Sequence, residues 1–253
     1  MSSSANEKKT EGSFRSFKLY VGVRTGRAIR RIVGKSTALP IVAGRLKGKK
    51  WIVAAGIPQI IGRWQELYTD KFAESIYQSS VVYDVGAHGG WYTLLASELV
   101  GPRGKVVAFE PLPSAQTLLK RNVEINHCIN VQIVEAAVSD SDGTATFFAM
   151  AEGNLGSLSP TYGPITTTVK TVKIDSLVKK KTIPAPGVIK MDIEGGELVA
   201  LKGAESTLIE HAPMIFLETH GFDMCVDCCR LLTSLGYAVE RFHSSGTVVA
   251  HKV

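Results

Sequence analysis

From Val81 onward, short apolar runs alternate with amphipathic stretches, the pattern of repeated strand and helix units. Val81 to Val85 is an apolar run stopped at Gly86, and Trp91 to Leu99 reads as a helix stopped by Gly101 and Pro102. Val106 to Phe109 is the next buried strand, ended by Glu110 and Pro111. Ser114 to Asn126 follows as a helix with Leu118, Leu119 and Val123 on one side. Val131 to Val138, Val188 to Ile193 and Met214 to Thr219 continue the series of strands, with helices from about Glu197 to Glu210 and Asp223 to Leu235. Tyr237 to Phe242 and Thr247 to His251, separated by Ser244, Ser245 and Gly246, predict a hairpin that closes the sheet antiparallel. The expected fold is α/β, a seven-stranded, doubly wound, mostly parallel sheet with helices on both faces.

One excursion interrupts the alternation. Thr144 to Ala149 reads as a strand, Gly153 to Gly163 as a Gly-rich stretch, and Thr168 to Ile174 as an alternating strand, an insertion expected at a substrate-facing edge.

Composition excludes some classes. With 253 residues, 45% of them hydrophobic and 21% charged, the chain can bury a sizeable core. The longest apolar stretch outside the strands, Trp51 to Ile61, is about half of what spans a bilayer, and Gly56, Pro58 and Gln59 interrupt it. The polar start, with Glu7 and Glu11, does not read as a secretory signal, so the expected location is cytoplasmic.

Charge is unevenly placed. Gly12 to Gln65 carries 12 Lys and Arg and no acid, and subtracting these from the 29 basic residues leaves 17 against 23 acidic ones elsewhere. The chain is therefore read as a disordered tail (1–13), a basic N-terminal extension (14–80) and an α/β domain (81–253). In the extension Phe14, Phe17, Tyr20, Val21, Ile29, Ile32 and Val33 interleave with the basic residues. That arrangement suits an evenly solvated face, an anionic membrane surface reached peripherally, or RNA. Cys225, Cys228 and Cys229 fall on one helix face, where a zinc site with His220 or His211 competes with simple packing, and packing is the expected role.

Three constellations carry chemistry. Asp84-Val85-Gly86-Ala87-His88-Gly89-Gly90 joins the first strand to a helix, with glycines that let a ligand approach the helix N-terminus. The turn lacks the third glycine of dinucleotide folds, and Asp84 would repel a pyrophosphate and suit a cation. Glu110 ends the adjacent strand, where a carboxylate can accept hydrogen bonds from ribose hydroxyls. Together they suit S-adenosylmethionine, which has an ammonium, a sulfonium, a ribose and no phosphate. Lys190-Met191-Asp192-Ile193-Glu194-Gly195-Gly196-Glu197 then puts Asp192 and Glu194 at the crevice, to orient substrate, hold a divalent cation or accept a proton. Glu197 alone would be explained as a helix-dipole partner. Glu218-Thr219-His220-Gly221 places an imidazole at the same rim, a candidate to take a proton from a hydroxyl. No metal is assigned.

The ordered series resembles the FkbM family of S-adenosylmethionine-dependent methyltransferases over roughly Val81 to His220. It rests on the Asp84 to Gly90 turn, Phe109-Glu110-Pro111, Glu135 to Asp140 followed by Gly143, Gly156-Ser157-Leu158, Val172 to Leu177, Lys190 to Glu197, and Glu218-Thr219-His220. The resemblance implies a class I Rossmann-like fold and O-methylation of a hydroxyl on a small molecule, sugar or glycolipid. It also implies cofactor contacts at Asp84, Gly86, Glu110 and the Ala136 to Ala137 stretch, to which the turn adds His88 and Gly90. Similar sequences often carry Asn where this one has His88. Asp192, Glu194 and His220 are the catalytic candidates. An RNA methyltransferase using the basic segment, a non-catalytic cofactor-binding protein and a nicotinamide-dependent oxidoreductase are the alternatives, the last disfavoured by Asp84.

Overall fold

The computed structural model describes residues 33–62, 68–150, 156–158, 163–241 and 246–253. The expected disordered tail, most of the apolar and basic residues of the N-terminal extension and much of the Gly-rich stretch lie outside them. The chain divides into two compact units, Met1–Trp64 and Gln65–Val253. In the first, β1 (Ala38–Pro40) pairs antiparallel with β2 (Lys50–Ile52), and a short 3-10 turn leads to the one-turn helix α1 (Ile57–Ile60). Among the described residues no helix is long and apolar enough to cross a membrane.

The second unit starts with α2 (Thr69–Glu74), in residues that the sequence reading assigns to the extension. Tyr68 and Phe72, both fully buried, pack against Tyr92 and Phe216 at ring-centroid distances of 5.1 to 5.8 Å. Fully burying such rings stabilises by roughly 1.5 to 3 kcal/mol each, which ties this segment to the sheet. Next come β3 (Val81–Val85), α3 (Trp91–Val100), β4 (Lys105–Phe109), α4 (Pro113–Ile125) and β5 (Val131–Val134). After the excursion follow β10 (Val188–Met191), α6 (Glu197–Lys202), α7 (Glu205–His211), β11 (Met214–Glu218), α8 (Phe222–Ser234), β12 (Tyr237–Arg241) and β13 (Thr247–Lys252).

These strands form one seven-stranded sheet in the order β12-β13-β11-β10-β3-β4-β5, parallel except for β13, which runs antiparallel to both neighbours. Strand order reverses between β3 and β10, so the crevice beyond their C-terminal ends is where a doubly wound sheet binds ligand. One face carries Tyr83, Val85, Val107, Phe109, Ile189, Met191, Ile215 and Leu217, all buried in the main core. By the two-residue period of a strand, Asp84, Lys190 and Phe216 point to the other face, and the register sets them side by side.

The excursion is a separate four-stranded sheet, β6 (Ala137–Val138), β9 (Ile165–Val172), β7 (Gly143–Ala149) and β8 (Gly156–Ser157), in that spatial order. Three sequence expectations are corrected here. The strand read as Val131 to Val138 breaks at Glu135 and Ala136, where its second half leaves the main sheet to pair with β9. Ile174 belongs to a helix, α5 (Ile174–Lys179), and not to the preceding strand. The helix read from Glu197 to Glu210 is two helices broken at Gly203, which lies so close to Ser139 that a Cβ there would meet its carbonyl oxygen at 1.9 Å.

Candidate active site

A cleft opens at the C-terminal ends of β3, β4 and β10, lined by residues that stand just past each strand. Gly86, Glu110 and Asp192 each follow the last strand residue, and each lines the cleft. Gly86 has φ +83°, and a Cβ there would lie 1.9 Å from the Asp192 carbonyl oxygen. Only glycine lets the first turn and the end of β10 approach this closely. His88 also lines the cleft, in the left-handed region at φ 48°, which Asn and His tolerate better than most residues.

Glu110 is 5% exposed, and its two oxygens accept the backbone N–H groups of His88 (2.8 Å) and Leu112 (2.9 Å). Burial pushes its carboxyl up to about 7, against the opposing pull of those two hydrogen bonds. Four acceptor positions on a carboxylate leave room for two more donors from a ligand. Ala136 and Ala137, at the break between β5 and β6, line the cleft with Leu112, Phe147 and Leu158. These last three are apolar wall residues not singled out as contacts from sequence. Phe147 is set by alternation along β7, and Gly156 is needed because a Cβ there would meet the Phe147 ring at 2.4 Å.

Two expected contacts sit elsewhere. Asp84 is inside β3, one residue before its last, is 1% exposed and does not line the cleft. Its carboxylate accepts the Thr93 hydroxyl at 2.6 Å and faces the Lys190 ammonium at 3.9 Å, so the cation it meets is a buried side chain. Gly90, φ +92°, caps α3 outside the cleft lining, and a Cβ there would lie 2.6 Å from the Leu119 side chain, so a glycine lets α4 pack close. Lys190 itself, 4% exposed, was not among the candidates. It lies 3.5 Å from Asp192 and over the Tyr92 ring, and so links the buried Asp84 to the cleft.

The rim gathers the expected catalytic residues. His220 Nε2 lies 3.2 Å from Glu194 and 3.7 Å from Asp192, while Nδ1 lies 2.7 Å from Glu197. The three facing side chains, Asp192, Glu194 and His220, are each a quarter to a third exposed. Glu197 is fully buried and also accepts the Gly195 N–H at 2.9 Å, so it is far more than a helix-dipole partner. The hydrogen bond to Glu197 pushes the imidazole up to about 9, with the charges of Glu194, Glu197 and Asp192 adding and burial opposing. The imidazole read as a proton acceptor therefore already holds its proton at neutral pH in this arrangement. Among the described residues, the His, Cys, Asp and Glu side chains close enough to share a metal ion are Asp192, Glu194 and His220. The cysteines of α8 are not in such a group, and burial pushes the Cys228 thiol up to about 12.

The methyltransferase FkbM domain, as a family model, matches residues 84–239. The chain belongs to this family. Family and fold indicate a methyltransferase enzyme of the class I Rossmann-like type. Among characterised members, the chain is 28% identical over 169 residues to the hexuronic acid methyltransferase AglP of Haloferax volcanii, covering 66% of this chain and 67% of that one. It is 26% identical over 225 residues to the 31-O-demethyl-FK506 methyltransferase FkbM of Streptomyces tacrolimicus, covering 74% and 84%. The solved structure of an FkbM methyltransferase from Methylobacillus flagellatus KT superposes with a TM-score of 0.52 at 21% identity, over 68% of this chain and 43% of that one. This chain thus spans less than half of that larger protein. An O-methyltransferase from Thermotoga maritima gives 0.51 at 13% identity, over 87% and 78%, which shows a shared fold.

Proposed function

We propose that this protein methylates a hydroxyl oxygen of a small acceptor, a sugar or a similar polyhydroxylated molecule, using S-adenosylmethionine. The observation that carries the reading is one cleft lined by the buried Glu110, the Gly86 turn, Asp192 and Glu194, the last two lying within 3.7 Å of His220. The donor set fits this cofactor. No Lys or Arg lines the cleft among the described residues, which disfavours a phosphate-bearing nucleotide, and the carboxylates suit a ligand with a sulfonium and an ammonium. When bound, S-adenosylmethionine supplies a methyl group activated on sulfur for displacement by an oxygen nucleophile.

The chain's own residues do the rest. Glu110 accepts the ribose hydroxyls, Gly86 and His88 bring backbone close to the ligand, and Ala136, Ala137, Phe147 and Leu158 shape an apolar slot for the base. Asp84 acts from behind, through Lys190. Asp192 or Glu194 accepts the acceptor's hydroxyl proton as the C–O bond forms and the C–S bond breaks, its electron pair staying on sulfur. His220, held protonated by Glu197, orients both carboxylates. Positioning of this kind contributes a large share of such a barrier's reduction. The named substrates of the two relatives, a hexuronic acid and a macrolide, support a small-molecule acceptor.

Calorimetry with S-adenosylhomocysteine, followed by a methyl-transfer assay on uronic acids and their glycosides, tests this reading. Micromolar cofactor binding and transfer to a hydroxyl are expected. Absence of cofactor binding would refute it.

A further inference from the structure

The rim offers more than a proton acceptor. The donor atoms of Asp192, Glu194 and His220 all lie within 4.8 Å of one another. Metal–ligand bonds of about 2.0 to 2.2 Å place neighbouring donors roughly 3 to 3.5 Å apart. The Glu194 to His220 separation of 3.2 Å falls within that spacing, and the Asp192 to His220 separation of 3.7 Å lies just above it. Each side chain is a quarter to a third exposed, which leaves room for ligands beyond these three.

A second observation points to a ligand independently. Glu197 is fully buried and aimed at the cluster from below, with one oxygen 2.7 Å from His220 Nδ1. An imidazole that donates its far N–H to a buried carboxylate has its other nitrogen turned outward, where a cation takes the place of the second proton, an arrangement that recurs behind metal-bound histidines. The other Glu197 oxygen is buried with no hydrogen-bond partner. Contacts here gather Asp84, Asp192, Glu194 and Glu197 against Lys190 and His220, so an added cation would relieve an excess of negative charge.

We infer that Asp192, Glu194 and His220 form a site for a divalent cation, of a kind that accepts both carboxylate oxygen and imidazole nitrogen. Mn²⁺ and Zn²⁺ suit that mixed donor set, and Mg²⁺, which prefers oxygen alone, suits it less. The remaining coordination positions face the cleft. Resting on the methyl-transfer reading, the inference gives those positions a use: they take the acceptor's hydroxyl oxygen, and with the cation bound that proton leaves to water, replacing the transfer to Asp192 or Glu194 described for the cation-free site. Glu197 is a positioning residue that fixes the imidazole.

The test is cation binding by the full chain after chelator treatment and dialysis, with Mn²⁺ followed by electron paramagnetic resonance and Zn²⁺ by calorimetry. One ion per chain is expected. Asp192→Asn and His220→Gln should abolish that binding, and Glu197→Gln should weaken it by about 10- to 100-fold, each variant being checked for native melting and circular dichroism. If Glu197→Gln fails to fold, the two ligand variants decide. Failure of both ions to bind at millimolar concentration, or equal binding by wild type and ligand variants, would overturn the site. S-adenosylhomocysteine binding measured in chelator reports on the methyl-transfer reading separately, so either proposal can fail while the other stands.

Discussion

Glu110→Gln isolates the buried carboxylate on which the cofactor assignment turns. In the folded chain this carboxyl is raised from 4.5 to about 7, burial being the largest cause. The folded state therefore keeps its proton to higher pH than the unfolded chain does. Its contribution to stability is fully present below pH 4.5 and is lost as pH rises through 7. A rise of that size corresponds to roughly 3 kcal/mol. Glutamine cannot ionise, so the variant lacks this loss. Its amide N–H₂ must face one of the backbone N–H groups of His88 or Leu112, which adds a cost that does not change with pH. Denaturant unfolding of both proteins across this pH range should show wild type losing about 3 kcal/mol relative to Glu110→Gln, whatever the constant offset.

Cofactor binding should move the other way. Ribose hydroxyls donate to the ionised form, so binding pulls the carboxyl back down, and wild-type affinity for S-adenosylhomocysteine should fall by up to about tenfold per pH unit below 7. The variant should bind about 10- to 100-fold more weakly near neutrality and show no such dependence. Parallel pH–stability curves, together with pH-independent wild-type affinity, would refute the reasoning, since they would mean that Glu110 is neither desolvated nor in contact with the ligand.

Two further outcomes follow from the geometry. Lys190→Met leaves Asp84 buried without the ammonium it faces and should destabilise the fold by about 3 to 5 kcal/mol, while adding Asp84→Asn should recover part of that loss in a double-mutant cycle of chemical unfolding. Gly86→Ala forces a side chain into the left-handed region and onto the Asp192 carbonyl, so it should cost at least roughly 1 to 3 kcal/mol, and a cofactor affinity unchanged by it would show that the turn does not shape the site.

The sheet was legible because strands buried on both faces read as near-continuous apolar runs, and Val81 to Val85, Val106 to Phe109 and Val188 to Met191 stop at Gly86, Glu110 and Asp192. Where a strand bends instead of stopping, that signal fails. Val131 to Val138 is apolar on both sides of Glu135 and Ala136, and nothing local announces that Ala137 and Val138 pair with β9 instead of β4. The excursion's own sheet is a non-local arrangement of the same kind.

Site residues were legible to the extent that the strand ends were. The residues just past β3, β4 and β10 stand at the crevice, and Glu110 and Asp192 are two of them. Two residues earlier, inside the strands, Asp84 and Lys190 are buried against one another and do not line the cleft. Residue chemistry alone invites the opposite reading, because an acid beside a glycine turn looks like a ligand contact. Glu197 shows the same limit on a helix. Its place in the first turn is explained by the dipole, yet burial and the nearby imidazole, neither visible in one dimension, make it the residue that sets the charge of His220. The catalytic reading of the rim therefore depends less on which ionisable residues are present than on which of them the fold has withdrawn from water, because a buried carboxylate fixes the protonation of its exposed neighbour.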